Sequence, residues 1–156
     1  LRVLFNFVNL QPTEILELGK DYAAEKKKNG YNPTEKEIEK ADKSKEERSI
    51  LLQSASSKLT KNFKEWWNQG EYKFRFEADG DYFRIWVSDS NRPAEVSLEQ
   101  RSTGLQWFLS FYLIFLVESQ ENHKNAILLL DEAGLTLHPL AQKDLAKFFN
   151  NLSNTP

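Results

Sequence analysis

Residues 127–139 read ILLLDEAGLTLHP. Four consecutive aliphatic residues, Ile127 through Leu130, run directly into Asp131 and Glu132. A short apolar run bounded by polar residues is the pattern of a strand buried on both faces of a parallel sheet, so 126–130 is expected to be such a strand. Ligands of open α/β sheets bind outside the C-terminal ends of the strands, where these adjacent carboxylates fall. Taken alone, the run fits equally well a core strand followed by two solvated acids.

Upstream, residues 98–106 read LEQRSTGLQ. Ser102 and Gly104 stand at the mouth of 105–119, a stretch apolar nearly all round and expected to form a helix buried in the centre of a larger body. Free backbone N–H groups and the positive helix end make such a mouth an anion seat, and Gly allows a phosphate to approach closely. Ser and Gly are also ordinary capping residues, and capping alone explains this segment by itself. The span from Gly104 to Asp131 holds a helix, a polar loop at 121–125 and a strand. Pro139 then suits the first position of a last helix, with Ala141, Leu145, Phe148, Phe149 and Leu152 on its inward face.

The first 97 residues carry weaker signals. In 1–8, LRVLFNFV, the alternation of Val3, Phe5 and Phe7 predicts a strand, broken by Gln11-Pro12-Thr13. A charged helix is expected over 16–28 and a turn cluster over 29–33. The helix restarts either with Asn32 as cap and Pro33 at the first position, or with a Thr34–Glu37 capping box. Acids and bases are nearly balanced from 20 to 48, the mark of a solvated helical face rather than a nucleic-acid arm. Leu52, Ala55, Leu59, Phe63 and Trp66 then follow at helical spacing and form one apolar stripe. Trp66 and Trp67 could stack on bases, but their place on or beside the stripe favours core anchoring. Tyr72, Phe74 and Phe76 alternate with charged residues, Asp79-Gly80 marks a hairpin turn, and Phe83, Ile85 and Val87 alternate on the return strand. Residues 88–96 are expected to be a loop.

Bulk properties narrow the classes. The chain has 156 residues, a formal net charge of −2, no Cys and no Met. One ordinary domain or part of a larger one is expected, with no disulfides, no zinc–thiolate site and no global attraction to nucleic acid. The absence of Cys fits a reducing compartment and an expected cytoplasmic location. No signal peptide is visible, and the most apolar stretch, 105–117, is too short to span a bilayer. A chain that starts at Leu1 without a Met is expected to be a piece of a longer protein.

The order of signature segment, helix, strand, Asp-Glu, turn and helix resembles the ABC-type ATPases. It is most similar to the branch containing the RecF- and SMC-like proteins and the overcoming-lysogenization-defect (OLD) ATPases. RSTGLQWFLSF looks like the signature segment of OLD-like ATPases, and LLLDEAGLTLHP like their Walker B motif and D-loop. The resemblance is specific over 98–140 and generic elsewhere. It implies an α/β fold: a partial ABC-type P-loop ATPase half with a helical insertion and a β-hairpin, its Walker A half missing. Residues 1–97 would hold the N-terminal strand, insertion and hairpin, and 98–156 the signature helix, Walker B strand, D-loop and following helix.

The resemblance assigns Asp131 to Mg²⁺ and Glu132 to polarising the attacking water. Ser102, Thr103 and Gly104 would contact the γ-phosphate of ATP held by a second subunit, and Leu135, Thr136 and His138 would belong to a D-loop crossing the interface. Without the family, His138 reads as a capping or packing histidine. ATP and Mg²⁺ would be the cofactors, a homodimer the assembly and DNA a possible partner of the whole protein, with no role for a membrane. Thr103 and Leu105 stand where the ABC signature has Gly and Gln, and Ala133 where Pro is usual, which favours the OLD-like branch over transporters. No G-x-x-x-x-G-K-[ST] occurs; the one Gly-Lys pair, Gly19-Lys20, is followed by Asp21 and has Glu14 at the first-Gly position. The chain is therefore expected not to bind ATP tightly or hydrolyse it by itself. The switch histidine and nuclease domain of the family are not found in it. Two alternatives remain: a RecF- or SMC-like DNA-repair ATPase, and a non-enzymatic interaction module with a degenerate ATPase fold.

Overall fold

The structure is a computed structural model that describes residues 2–80, 82–120 and 130–153, without the side chains of 116–120 and 152–153. Helices α1 (Arg2–Val8), α2 (Pro12–Leu18), α3 (Tyr22–Lys28) and α4 (Glu35–Trp66) come first. Strands β1 (Tyr72–Asp79), β2 (Tyr82–Asp89) and β3 (Arg92–Ser97) come next, then a short 3-10 turn (Leu98–Gln100), α5 (Thr103–Gln120) and α6 (Pro139–Ser153). The result is α/β with an antiparallel three-stranded sheet in the order β1-β2-β3. The expected Walker B strand at 126–130 lies outside the described residues except for Leu130, which has no regular structure. Among the described residues no helix is long and apolar enough to cross a membrane.

The expected N-terminal strand is a helix. Leu4, Phe5 and Val8 are buried, a helical stripe that competes with the alternation of Val3, Phe5 and Phe7. Asn9 takes a left-handed φ of 59°, and the N–H groups of Asn9 and Leu10 donate to the carbonyls of Asn6 (3.2 Å) and Phe5 (2.9 Å). This is a Schellman-type stop, sealed by buried Leu10, and it satisfies the last helical carbonyls. The helix expected over 16–28 is two helices that meet near Gly19. A Cβ on Gly19 would lie 2.2 Å from Arg48 Nη1, so the buried guanidinium uses the room that glycine leaves.

Helix α4 spans 32 residues, about 48 Å at 1.5 Å per residue. Of the two possible starts, Thr34 is used: its N–H and hydroxyl both donate to Glu37 Oε2, at 2.9 and 3.1 Å. The charged N-terminal part is largely solvated, and α3 is tied to it by Lys45–Asp21 at 2.6 Å and by a Lys26–Glu37 pair. The C-terminal part buries Leu52, Ala55, Leu59 and Phe63 against the sheet and α5. Two hydroxyls on this stretch cover the free edge of β1. Ser56 Oγ accepts from Phe76 N at 2.8 Å and Thr60 Oγ1 from Phe74 N at 3.0 Å. Outward amides that would invite another strand are thereby satisfied within the chain.

The hairpin pairs Phe74 with Val87 and Phe76 with Ile85, placing the apolar alternation of both strands on the core side. Gly80 at its turn has φ 53°. Residues 92–96, part of the expected 88–96 loop, belong to β3, with Val96 opposite Val87 and an irregularity between Val87 and Asp89. Pro93 is tolerated because β3 is an edge strand. One core joins α1, α4, the sheet, α5 and α6. Trp67 is buried and Trp66 packs edge-on against Phe148 at 4.9 Å, so both tryptophans anchor the core.

Asp144 on α6 clasps the end of α4. Its carboxylate accepts from Asn68 N (2.9 Å), Asn68 Nδ2 (3.1 Å) and Gln69 Nε2 (2.7 Å), and the residue is buried. Burial alone raises its pKa, but the donors on Gln69 and Asn68 outweigh that and hold the carboxyl below its usual range. The stability it contributes is thus present above the ordinary carboxylate range and is lost as pH falls through the lowered folded value. Asp144→Ala leaves three donors without their acceptor and is expected to cost about 1–3 kcal/mol in urea unfolding at neutral pH. The deficit should shrink on acidification; a constant deficit down to acid pH would contradict the charged clasp.

Candidate functional site

Two segments singled out by their sequence meet where α5 begins. Ser102 caps α5: its carbonyl accepts from Gln106 N at 3.1 Å and its hydroxyl faces Leu105 N at 3.4 Å. The side chains of Ser102 and Thr103 are exposed, and the N–H groups of Thr103 and Gly104 have no partner among the described residues. Gly104 lies against the other segment. A Cβ there would sit 3.2 Å from the carbonyl oxygen of Thr136 and 3.4 Å from Leu137 Cδ2. Glycine therefore lets the mouth of α5 and the loop before α6 touch backbone to side.

That second loop is made of two consecutive turns, with Leu135 N donating to Glu132 O (3.3 Å) and Leu137 N to Gly134 O (2.9 Å). Gly134 is buried at φ 82°, and a Cβ would meet Leu145 Cδ2 at 2.8 Å, so both conformation and space demand glycine. Leu137 is buried as the loop's anchor, whereas Leu135 is 67% exposed. Gln142 reaches back from α6, donating through Nε2 to the carbonyls of Gly134 (3.2 Å) and Leu137 (3.3 Å). His138 sits at the start of α6, its Nδ1 accepting from Leu140 N at 3.4 Å, a capping contact. Asp131 and Glu132 open the loop and are exposed. Glu132 adopts φ 51°, the left-handed region that a glutamate rarely takes.

The Ser102 segment is fixed from behind by residues to which the sequence drew no attention. Arg101 Nη1 pairs with Asp89 Oδ2 at 2.8 Å, and Nη2 donates to Val87 O at 2.8 Å. Both side chains are largely buried. Gln106 Nε2 donates to Arg101 O at 2.8 Å and Glu99 O at 3.2 Å. The one available signal was an arginine beside the small residues, with an aspartate in the Asp89-Ser90-Asn91-Arg92 turn as its partner.

The residues fit Mg-nucleotide chemistry in a particular way. Among the described residues no group of three or more acids or histidines could hold a metal by itself. Asp131 and Glu132 offer exposed oxygens only, which suits Mg²⁺, an ion that keeps waters and shares phosphate oxygens. The exposed hydroxyls and free N–H groups at the α5 mouth suit an anion. A cleft of about 830 Å³ lies elsewhere, between α4 and β1, and is lined by neither segment. Side chains exposed on an open surface suit a site completed by another body.

The profile of a family described as an AAA ATPase domain matches residues 8–156. An uncharacterized protein of Methanocaldococcus jannaschii is 27% identical over 117 residues, which cover 67% of this chain and 29% of that protein. The chain thus spans under a third of the length of this curated relative. No solved structure matches the chain. With the match running over nearly its whole length, the chain belongs to the AAA ATPase domain family, within the P-loop NTPase superfamily.

Proposed function

We propose that this chain supplies the Walker B carboxylates, the D-loop and the signature of an ABC-type ATPase of the OLD-like branch. The observation that carries the reading is the contact of Gly104 with the Thr136 carbonyl. It gathers the α5 mouth and the Asp131–His138 loop onto one open surface. ATP bound with Mg²⁺ supplies the phosphoryl group and its charge neutralisation. Asp131 serves the metal, through water, and Glu132 orients and polarises the attacking water. Ser102, Thr103 and Gly104 face the γ-phosphate of nucleotide held by a second protomer. Exposed Leu135 and its neighbours Thr136 and His138 cross that homodimer interface. The sequence holds no P-loop to cradle the phosphates, so catalysis belongs to the whole protein and not to these residues alone. Action on DNA or in defence against phage is what the OLD-like branch implies for that whole protein.

Thr103→Glu in the whole protein tests the trans seat. Thr103 is exposed at the first position of α5, where an acid complements the helix end and leaves folding intact. The same charge repels a partner's γ-phosphate. ATP-driven dimers, followed by light scattering, should be lost while each protomer still binds nucleotide. Dimers of undiminished strength would overturn the assignment.

A further inference from the structure

The segment 98–102 has one deeply held charged anchor among its described residues, and it is Arg101. The arginine is immediately next to Ser102, yet its side chain, only 8% exposed, turns away from the α5 mouth toward the sheet. There it meets Asp89 and the Val87 carbonyl, and its guanidinium lies 5.8 Å over the Tyr72 ring. Asp89 is committed on both oxygens: Oδ1 accepts from Asn91 N (2.9 Å) and Arg92 N (2.8 Å), while Oδ2 takes Arg101. The carboxylate that shapes the β2–β3 turn thus also fixes the arginine. From the other side, Gln106 ties the Arg101 carbonyl to the first turn of α5. Glu99 and Gln100 are exposed and cannot do this work.

A buried ion pair adds little net stability, because desolvating both charges offsets their attraction. What it adds is geometry, and a phosphate seat made of two hydroxyls and two N–H groups depends on placement. We propose that Arg101, held by Asp89 and Tyr72, is a positioning residue that sets Ser102, Thr103 and Gly104 at the height and angle needed to meet the phosphates of a partner's nucleotide. This role rests on the trans-signature reading of the α5 mouth. Lysine cannot replace it: a single ammonium does not span Asp89 Oδ2, the Val87 carbonyl and the tyrosine face together.

Mixed dimers of the whole protein test the proposal. Arg101→Lys homodimers should lose about 10- to 100-fold in kcat. ATP affinity per protomer should stay unchanged, while the ATP-driven dimer weakens by light scattering. Hydrogen exchange should quicken at the amides of Arg101 and Gln106, which bond to Leu98 O and Ser102 O. Pairing a Glu132→Gln protomer with an Arg101→Lys protomer leaves one intact site, formed by Glu132 of the second and the signature of the first, and should hydrolyse ATP. Placing both substitutions in one protomer opposite a wild-type partner spoils both sites and should not. Equal rates from the two arrangements would overturn the positioning role. If Arg101→Lys fails to fold by thermal melting, Asp89→Asn, which keeps the shape of the turn, is read by the same scheme. Active Glu132→Gln homodimers would instead sink the site reading itself. Inactive Glu132→Gln homodimers beside unimpaired Arg101→Lys homodimers would sink the positioning role alone.

Discussion

Glu132→Gln in the whole protein is expected to slow ATP hydrolysis on the order of 10²–10⁴-fold while leaving nucleotide binding intact. Glutamine keeps the size of the side chain and one hydrogen-bond acceptor, but it cannot carry the charge that polarises an attacking water. Structure gives two reasons to expect the loss in turnover and not in folding. The side chain is exposed, so the core does not register the change. The backbone is held left-handed at φ 51° by its neighbours: Leu135 N bonds to the Glu132 carbonyl, and buried Gly134 and Leu137 fix the second turn of the loop. A non-glycine residue kept there costs about 1–3 kcal/mol, a burden that persists where a site needs one particular side chain. Glu132→Gly relieves the conformation and should not lower the melting temperature, yet it should hydrolyse ATP no faster than Glu132→Gln. The measurement is single-turnover phosphate release alongside equilibrium ATP binding. Turnover near wild type in both variants would remove Glu132 from the chemistry, and a loss of binding instead of turnover would place it against the nucleotide.

How much of this could be read from residues alone depended on whether the signal was local. The Thr34–Glu37 box, the Asp79-Gly80 turn and Pro139 act within a few positions, and each marks the element boundary that the structure shows. The Leu52-to-Trp66 stripe works for the same reason, since helical spacing reports which face is covered. Residues 2–8 misled because a seven-residue segment fits both periods; the deciding feature was Asn9, able to stop a helix left-handed. Strand β3 was hidden because RPAEVS is polar and carries a proline, and its pairing comes from Val87 and Trp86 on β2. The Arg101–Asp89 pair joins residues from different elements, which no local pattern reveals. At the candidate site the residue types were legible, whereas the meeting of Gly104 with Thr136 required the fold.

Phe63→Ala is expected to produce the largest loss of stability, about 3–5 kcal/mol. Phe63 is 1% exposed and stands where α4, β1 and α5 converge. Its ring meets Phe74 at 5.1 Å, Phe108 at 5.8 Å and Tyr112 at 5.9 Å, all near edge-on, and Trp67 at 5.9 Å. Truncation removes these contacts and leaves a cavity whose walls belong to three different elements. A helix, a strand and another helix cannot all move inward without breaking the Ser56 and Thr60 bonds that seat α4 on the edge of β1. Incomplete collapse therefore places the cost at the upper part of the range. At about 2–4 °C per kcal/mol for a chain of this size, melting should fall by roughly 6–20 °C. The consequence reaches the site, because Phe108 and Tyr112 lie on the helix whose first turn holds Thr103 and Gly104. Below its lowered melting point, the variant should still show faster hydrogen exchange along α5. A loss under about 1 kcal/mol would mean that the three elements repack freely, and α5 would then not be the rigid mount that the signature requires.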